Sequence, residues 1–170
     1  VRYADDFVIL ARYVGGRVES FVERTLHDRF DLRVNPAKTR TVKVTEPGAS
    51  LDFLGYTFRY DQSLFGPGRY LNLFPSRKAL QRTRDRLREM TGPDRCFVPV
   101  PELIDEVNRY LAGWGNYFGK GYPRHAFRQV NRFAQERLER HLKRRSQRPF
   151  RLGGELTWYA QLKRLGLIPL

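Results

Sequence analysis

Arg69-Tyr70-Leu71-Asn72-Leu73-Phe74-Pro75-Ser76-Arg77-Lys78-Ala79-Leu80 is the stretch where the pattern of the chain changes character. Up to Phe74 it is a short aromatic and leucine-rich run, which reads as a strand. Ser76 is a good helix N-cap. After it, Leu80, Leu87 and Met90 fall on an inward stripe, while Arg77, Arg82, Arg84, Arg86 and Arg88 fall largely outside it. A strand-rich part therefore meets a helical part near Pro75-Ser76, and the expected fold class is α+β.

Upstream, Leu51 to Tyr60 and Arg69 to Phe74 bracket a Gly66-Pro67-Gly68 turn and read as a hairpin. Thr39 to Thr45 alternates and is β-branched, which also predicts a strand. Val18, Phe21, Val22, Leu26 and Phe30 recur at helical spacing, so Arg17 to Phe30 is expected to form an amphipathic helix that Asn35-Pro36 ends. Val1 to Ala4 and Phe7 to Tyr13 are apolar runs flanking Asp5-Asp6, the expected turn of another hairpin. Downstream, Pro101 opens a helix with the stripe Leu103, Ile104, Val107, Tyr110, Leu111 and Trp114, which Gly119 to Pro123 closes. A longer helix from Arg124 to Arg145 carries Phe127, Val130, Phe133, Ala134, Leu138 and Leu142. A short one is expected over Glu155 to Leu165.

The charge is divided in the same place. The 170 residues hold 32 bases, 26 of them arginine, against 18 acids, a net charge of +14. Residues 1–76 are near neutral with 11 bases and 9 acids, whereas residues 77–148 hold 18 bases and 8 acids. An unbalanced arginine surface on packed helices suits a polyanion, because guanidinium binds phosphate bidentately and stacks on bases. A solvated helix face is the plainer alternative. The residues expected to contact RNA are Arg77, Arg82, Arg84, Arg86, Arg88, Lys120, Arg124, Arg128, Arg132, Arg144 and Arg145. Tyr117 and Phe118, beside Gly119-Lys120-Gly121, are weaker candidates for stacking on RNA; Trp114 is assigned to packing.

The single cysteine, Cys96, excludes an internal disulfide framework and a zinc site built on cysteine pairs. No apolar run reaches the ~20 residues of a membrane span. The expected setting is cytoplasmic, in a bacterial-type cell and compatible with association with the nucleoid. The chain opens without methionine into a strand-like run and so reads as the C-terminal piece of a longer polypeptide.

Two adjacent carboxylates at a tight turn suit Mg²⁺, which takes hard oxygen ligands and commonly shares them with substrate phosphates. Aspartates in turns serve local hydrogen bonding equally well. The flanking residues shift the balance: Tyr3-Ala4-Asp5-Asp6 followed by Phe7-Val8-Ile9-Leu10 resembles the Tyr-x-Asp-Asp motif of reverse transcriptases. Leu32-Arg33-Val34-Asn35-Pro36-Ala37-Lys38-Thr39 resembles the palm segment of that family ending in Asn-x-x-Lys-Thr, and Leu51-Asp52-Phe53-Leu54-Gly55-Tyr56 resembles its primer-grip hairpin. Asn108-Arg109-Tyr110-Leu111-Ala112-Gly113-Trp114-Gly115-Asn116-Tyr117-Phe118 is similar to the maturase-specific segment of group II intron-encoded reverse transcriptases. The resemblance covers about residues 1–145.

It implies the end of an antiparallel palm sheet with a helix over residues 1–75 and a helical thumb or maturase bundle over 76–148, while residues 149–170, outside the resemblance, are expected to form a tail helix. It also implies RNA-directed DNA synthesis with Mg²⁺, and help in folding and splicing an intron RNA. Asp5 and Asp6 would be metal ligands and catalytic residues, and Lys38 would sit near the nucleotide phosphates, although a solvated lysine fits that position too. Tyr3 and Ala4 would lie against the primer terminus or incoming deoxynucleotide; Leu54 and Gly55 would position the primer on its RNA template. The further metal-binding aspartate, the fingers and the first half of the palm lie upstream in the family, so these 170 residues alone are not expected to polymerise. The cysteine pairs of the endonuclease found in some relatives are missing. The competing reading is a non-catalytic RNA-binding splicing helper in which Asp5 and Asp6 are structural. CRISPR-associated and diversity-generating reverse transcriptases share the Tyr-x-Asp-Asp motif.

Overall fold

A computed structural model describes all residues except Val1, Ala4, Asp5, Val14, Leu64, 147–149, Arg151, Gly153 and Glu155, and describes Arg2, Tyr3 and Asp6 by backbone only. The fold is α+β. Strands β1 (Arg2–Tyr3) and β2 (Asp6–Phe7) form an antiparallel ribbon, followed by helix α1 (Gly16–Phe30). Strands β3 (Ser50–Phe53), β4 (Tyr56–Gln62) and β5 (Arg69–Pro75) form an antiparallel sheet in that order. Helices α2 (Arg77–Met90), α3 (Val100–Phe118), α4 (Arg124–Arg144) and α5 (Trp158–Arg164) complete the chain.

The helical part holds the core. Leu87, Leu103, Ile104, Val107, Leu111, Val130, Ala134, Leu138 and Leu162 are almost wholly buried there, on the stripes that the sequence spacing predicts. Two small residues complete the α2 stripe. Ala79 and Thr83 are buried and Leu80 is only half-buried, because α2 lies close to α4, where small side chains permit contact. The Ser76 hydroxyl accepts from the Ala79 amide at 3.2 Å, and the Thr157 hydroxyl caps α5 in the same way. Helices α2 and α4 run parallel: Arg84 meets Gln129, Arg88 covers the Phe133 ring, and Arg137 reaches Thr91. The C-terminal segment lies across α3 and α4. Asn108 binds the Gly166 carbonyl and Ile168 amide, and Asn131 binds the Leu170 amide and carbonyl.

Three expectations need correction. Leu51 to Tyr60 is not one strand but two, divided at Leu54-Gly55. Both turn residues have positive φ, 50° and 80°, the requirement of a two-residue type I′ hairpin. Thr39 to Thr45 is not a strand. The Asn35 side chain accepts from the Ala37 amide, the Asn35 main-chain carbonyl accepts from the Thr39 hydroxyl, and the Thr41 hydroxyl donates to Glu19, so side chains compete for the backbone's role. Of the run from Phe7 to Tyr13 only Phe7 belongs to a strand, and Asp6 lies in the ribbon opposite Tyr3 rather than at its turn. Minor shifts also occur at helix ends: the longer helix stops at Arg144 and the last begins at Trp158.

Helix α1 forms as predicted, yet none of its residues is buried and Phe21 is 64% exposed. Truncating Leu103, which is fully buried, is expected to cost about 2–5 kcal/mol. Phe21→Ser is expected to change stability by less than ~0.5 kcal/mol. Urea unfolding of the two variants, followed by circular dichroism, checks this contrast.

Candidate nucleic-acid interface

The helical part presents its cations on two neighbouring helices. On α2, Arg77, Arg82, Arg86 and Arg88 are exposed and Arg84 is half-buried, its guanidinium donating to Gln129 at 3.1 Å. Arg86 pairs with Glu89 at 3.0 Å and Arg88 with Asp85 at 2.5 Å, both within one turn and open to solvent. Such pairs contribute little and exchange readily for a phosphate. Among the described residues, Arg77 and Arg82 pair with no acid. On α4, Arg124, Arg128 and Arg132 recur every four residues and are exposed; Arg132 pairs with Glu136 at 3.0 Å. Lys120 is exposed on the α3–α4 connection.

Two open clefts flank α2. One, of about 500 Å³, lies towards α4 and is lined by Arg77, Lys78, Leu80, Gln81, Arg84 and Gln129. The other, of about 430 Å³, lies towards α3 and is lined by Arg86, Met90, Glu106, Arg109 and Tyr110. Each gathers at least two basic side chains, and the second also holds the acid Glu106.

Arg144 and Arg145 are used differently from the other expected contacts. Arg144 donates to the Thr91 carbonyl, and Arg145 to the Val98 carbonyl, both at 2.5 Å. Arg137, expected from its place in the dense basic segment to project from the helix, instead donates to the Thr91 hydroxyl at 3.1 Å. These arginines satisfy carbonyls at and beyond the C-terminal end of α2. Burial, with Arg144, Arg140 and Arg88 nearby, holds the Arg137 guanidinium below its ordinary range. The signal for Arg137 was its position one residue before Leu138 on the buried stripe. Arg144 remains exposed, so its remaining donors face solvent.

Lys38 is exposed in the turn that Asn35 stabilises, its own amide donating to the Asn35 carbonyl at 3.1 Å. Ala4 and Asp5 lie outside the described residues, and Tyr3 and Asp6 are placed only as backbone partners in the ribbon. Among the described residues, no group of three or more His, Cys, Asp or Glu side chains gathers to hold a metal ion. No helix of the described residues is long and apolar enough to cross a membrane.

The Leu54-Gly55 turn is joined to the helices. The Tyr117 hydroxyl donates to the Leu54 carbonyl at 2.9 Å, and the Tyr56 hydroxyl donates to the Tyr117 carbonyl. A Cβ at Gly55 would stand 3.2 Å from the Phe118 ring, so only glycine combines this approach with a φ of 80°. Burial pushes the Tyr56 phenol up. Phe118 is therefore packed in the core and is not a stacking platform, while Tyr117 is half exposed but committed through its hydroxyl. Trp114 is buried beside Phe118, as its packing assignment requires.

Residues 80–158 match the family described as the group II intron, maturase-specific domain. The match spans the helices that carry the basic surface and is consistent with a group II intron maturase. The isoleucine–tRNA ligase of Halobacterium salinarum is 28% identical over 116 residues, a match that covers 61% of this chain and 11% of that protein. The chain thus spans about a tenth of the length of this curated relative.

His141 is fully buried under the same arginines, against the backbone of Thr91 and Gly92. Burial first, and Arg144 and Arg145 next, press its pKa below the ordinary 6.5. The unfolded chain then takes up a proton that the folded one resists, so stability is complete above about pH 6.5 and falls as the pH drops towards the folded value. Thermal unfolding between pH 5 and 7.5 is expected to show this loss, and His141→Leu is expected to flatten it.

Proposed function

We propose that this chain is the palm end and the thumb or maturase part of a group II intron-encoded reverse transcriptase, and that its helical surface grips the intron RNA. The observation that carries the reading is the coincidence of the maturase-specific match with the helices that expose unpaired arginines. A folded RNA supplies closely spaced phosphates, and the α2 and α4 arginines supply bidentate donors at helical spacing. The share of the tRNA ligase that is matched is too small to carry that protein's activity to this chain.

For the polymerase chemistry, the Tyr3-Ala4-Asp5-Asp6 sequence resembles the family's metal-holding motif. Asp5 and Asp6 are hard oxygen donors, which fit Mg²⁺, and a further carboxylate would come from outside these 170 residues. When bound, the ion supplies charge stabilisation for phosphoryl transfer. Lys38 places a point charge for the triphosphate of the deoxynucleotide. Tyr3 and Ala4 line the primer terminus. Leu54 and Gly55 position the primer strand on the RNA template, and their tie to Tyr117 and Phe118 makes that position depend on the helices.

Two measurements test the proposal. RNA binding is expected to weaken steeply with salt, and a chain with Arg77, Arg82, Arg124 and Arg128 all changed to Ala is expected to lose about 0.7–0.9 of the log–log slope for each phosphate contact removed. An unchanged slope places the RNA on another face. Primer extension on an RNA template with Mg²⁺, using the polypeptide that includes the upstream palm, is expected to stop in Asp5→Ala and Asp6→Ala while RNA binding persists. Continued synthesis in both variants removes the metal-ligand assignment.

A further inference from the structure

The α3–α4 connection carries a feature that the basic surface does not account for. Lys120-Gly121-Tyr122-Pro123-Arg124 does not hang as a loose loop. The Tyr122 amide donates to the Leu73 carbonyl of β5 at 2.8 Å. Gly121 has a φ of 75°, and a Cβ there would stand 2.4 Å from the same carbonyl, so the backbone lies directly on the sheet edge. Proline at 123 and the start of α4 at Arg124 fix the other end.

This anchorage holds up one aromatic ring. Tyr122 is 59% exposed, and its ring meets Tyr70 of β5 with centroids 5.0 Å apart and planes 69° from parallel. The two rings form a corner whose outer member is open to solvent. A large aromatic ring on a braced backbone spends little entropy on binding, which is what a stacking surface needs. Lys120 and Arg124, two residues to either side of Tyr122, are both exposed. The chain has no acidic residue between Glu106 and Glu136, and the first turn of α4 has none. Asp61, paired across the sheet from Tyr70, is neutralised by the Arg59 guanidinium at 2.6 Å and by Asn72.

An exposed aromatic with a cation on each side and no local acid has the chemistry of a nucleotide site: a π-face for a base and charges for its phosphates. We propose that Tyr122, braced by Tyr70, is a stacking platform for an unpaired RNA nucleotide whose neighbouring phosphates contact Lys120 and Arg124. A base inside a duplex has no free face, so the platform selects bulges, loops or single strands over paired RNA. This rests on the RNA-binding reading above and adds to it the kind of RNA feature that is recognised. Tyr122 replaces Tyr117 and Phe118 in the stacking role, since the core and the Leu54 turn occupy those two.

The test uses the whole chain with an RNA hairpin that carries one unpaired 2-aminopurine, and with the same hairpin fully paired. The intact protein is expected to bind the bulged RNA about tenfold more tightly and to change the 2-aminopurine emission on binding. Tyr122→Ala is expected to abolish the preference and the emission change while leaving the affinity for the paired hairpin unaltered. Tyr122→Phe is expected to retain both, and so is Tyr159→Ala, which removes an exposed tyrosine elsewhere. A preference that survives in Tyr122→Ala overturns the platform and leaves RNA binding standing. Failure of the intact chain to bind either hairpin overturns the RNA-binding reading and the platform with it.

Discussion

The architecture depends on the contact between the Leu54-Gly55 turn and the end of α3. Phe118 rises under Gly55, and the hydroxyls of Tyr56 and Tyr117 each reach a carbonyl across the junction. The same ring continues inward: Tyr56, Phe118, Trp114 and Phe127 stand 4.8–5.6 Å apart in succession, linking β4 through α3 to α4. Each such pair contributes about 0.5–1.5 kcal/mol beyond the area it buries. A sheet of three short strands has little core of its own, and this aromatic series gives it one. The docking of Tyr122 on β5 is a second tie between the same two parts.

With that junction set, the arginines divide by what they touch. Arg137, Arg144 and Arg145 turn back onto carbonyls between Thr91 and Val98, so they act as part of the frame. Their positive charges crowd one another and His141, an arrangement that a bound polyanion relieves. Arg77, Arg82, Arg124 and Arg128 hold no acid among the described residues and face solvent. A count of bases along the sequence cannot separate these groups, since both come from the same dense segment.

The first part of the chain obeys its local pattern without the burial that such a pattern usually brings. Helix α1 follows its predicted spacing, and the Gly15 and Asp31 ends sit where the pattern stops, yet its apolar stripe is only half-buried at Val18, Val22 and Leu26 and exposed at Phe21 and Phe30, and Ile9, Leu10 and Tyr13 are exposed too. Helical periodicity is a property of the segment; burial belongs to whatever packs on it. Strands differ more. β-rich composition forms a strand only where tertiary context supplies a ladder, and among the described residues Thr39 to Thr45 and Ile9 to Tyr13 lie in no strand.

What the sequence by itself determined is what short-range chemistry controls. The helices and the cap at Ser76, the apolar stripes of α3 and α4, the change of charge at Pro75-Ser76 and the motif order were all legible, because spacing, capping and composition are local. The maturase-specific match falls on the segment whose Gly113-Trp114 motif was read as similar to that family. Only the tertiary structure decided the rest. It buried Phe118 in place of exposing it, set Arg137, Arg144 and Arg145 onto distant carbonyls, and lifted Tyr122 onto the edge of β5. Each of these depends on groups tens of residues apart meeting in space, and sequence spacing carries no information about which distant carbonyl or ring will be there.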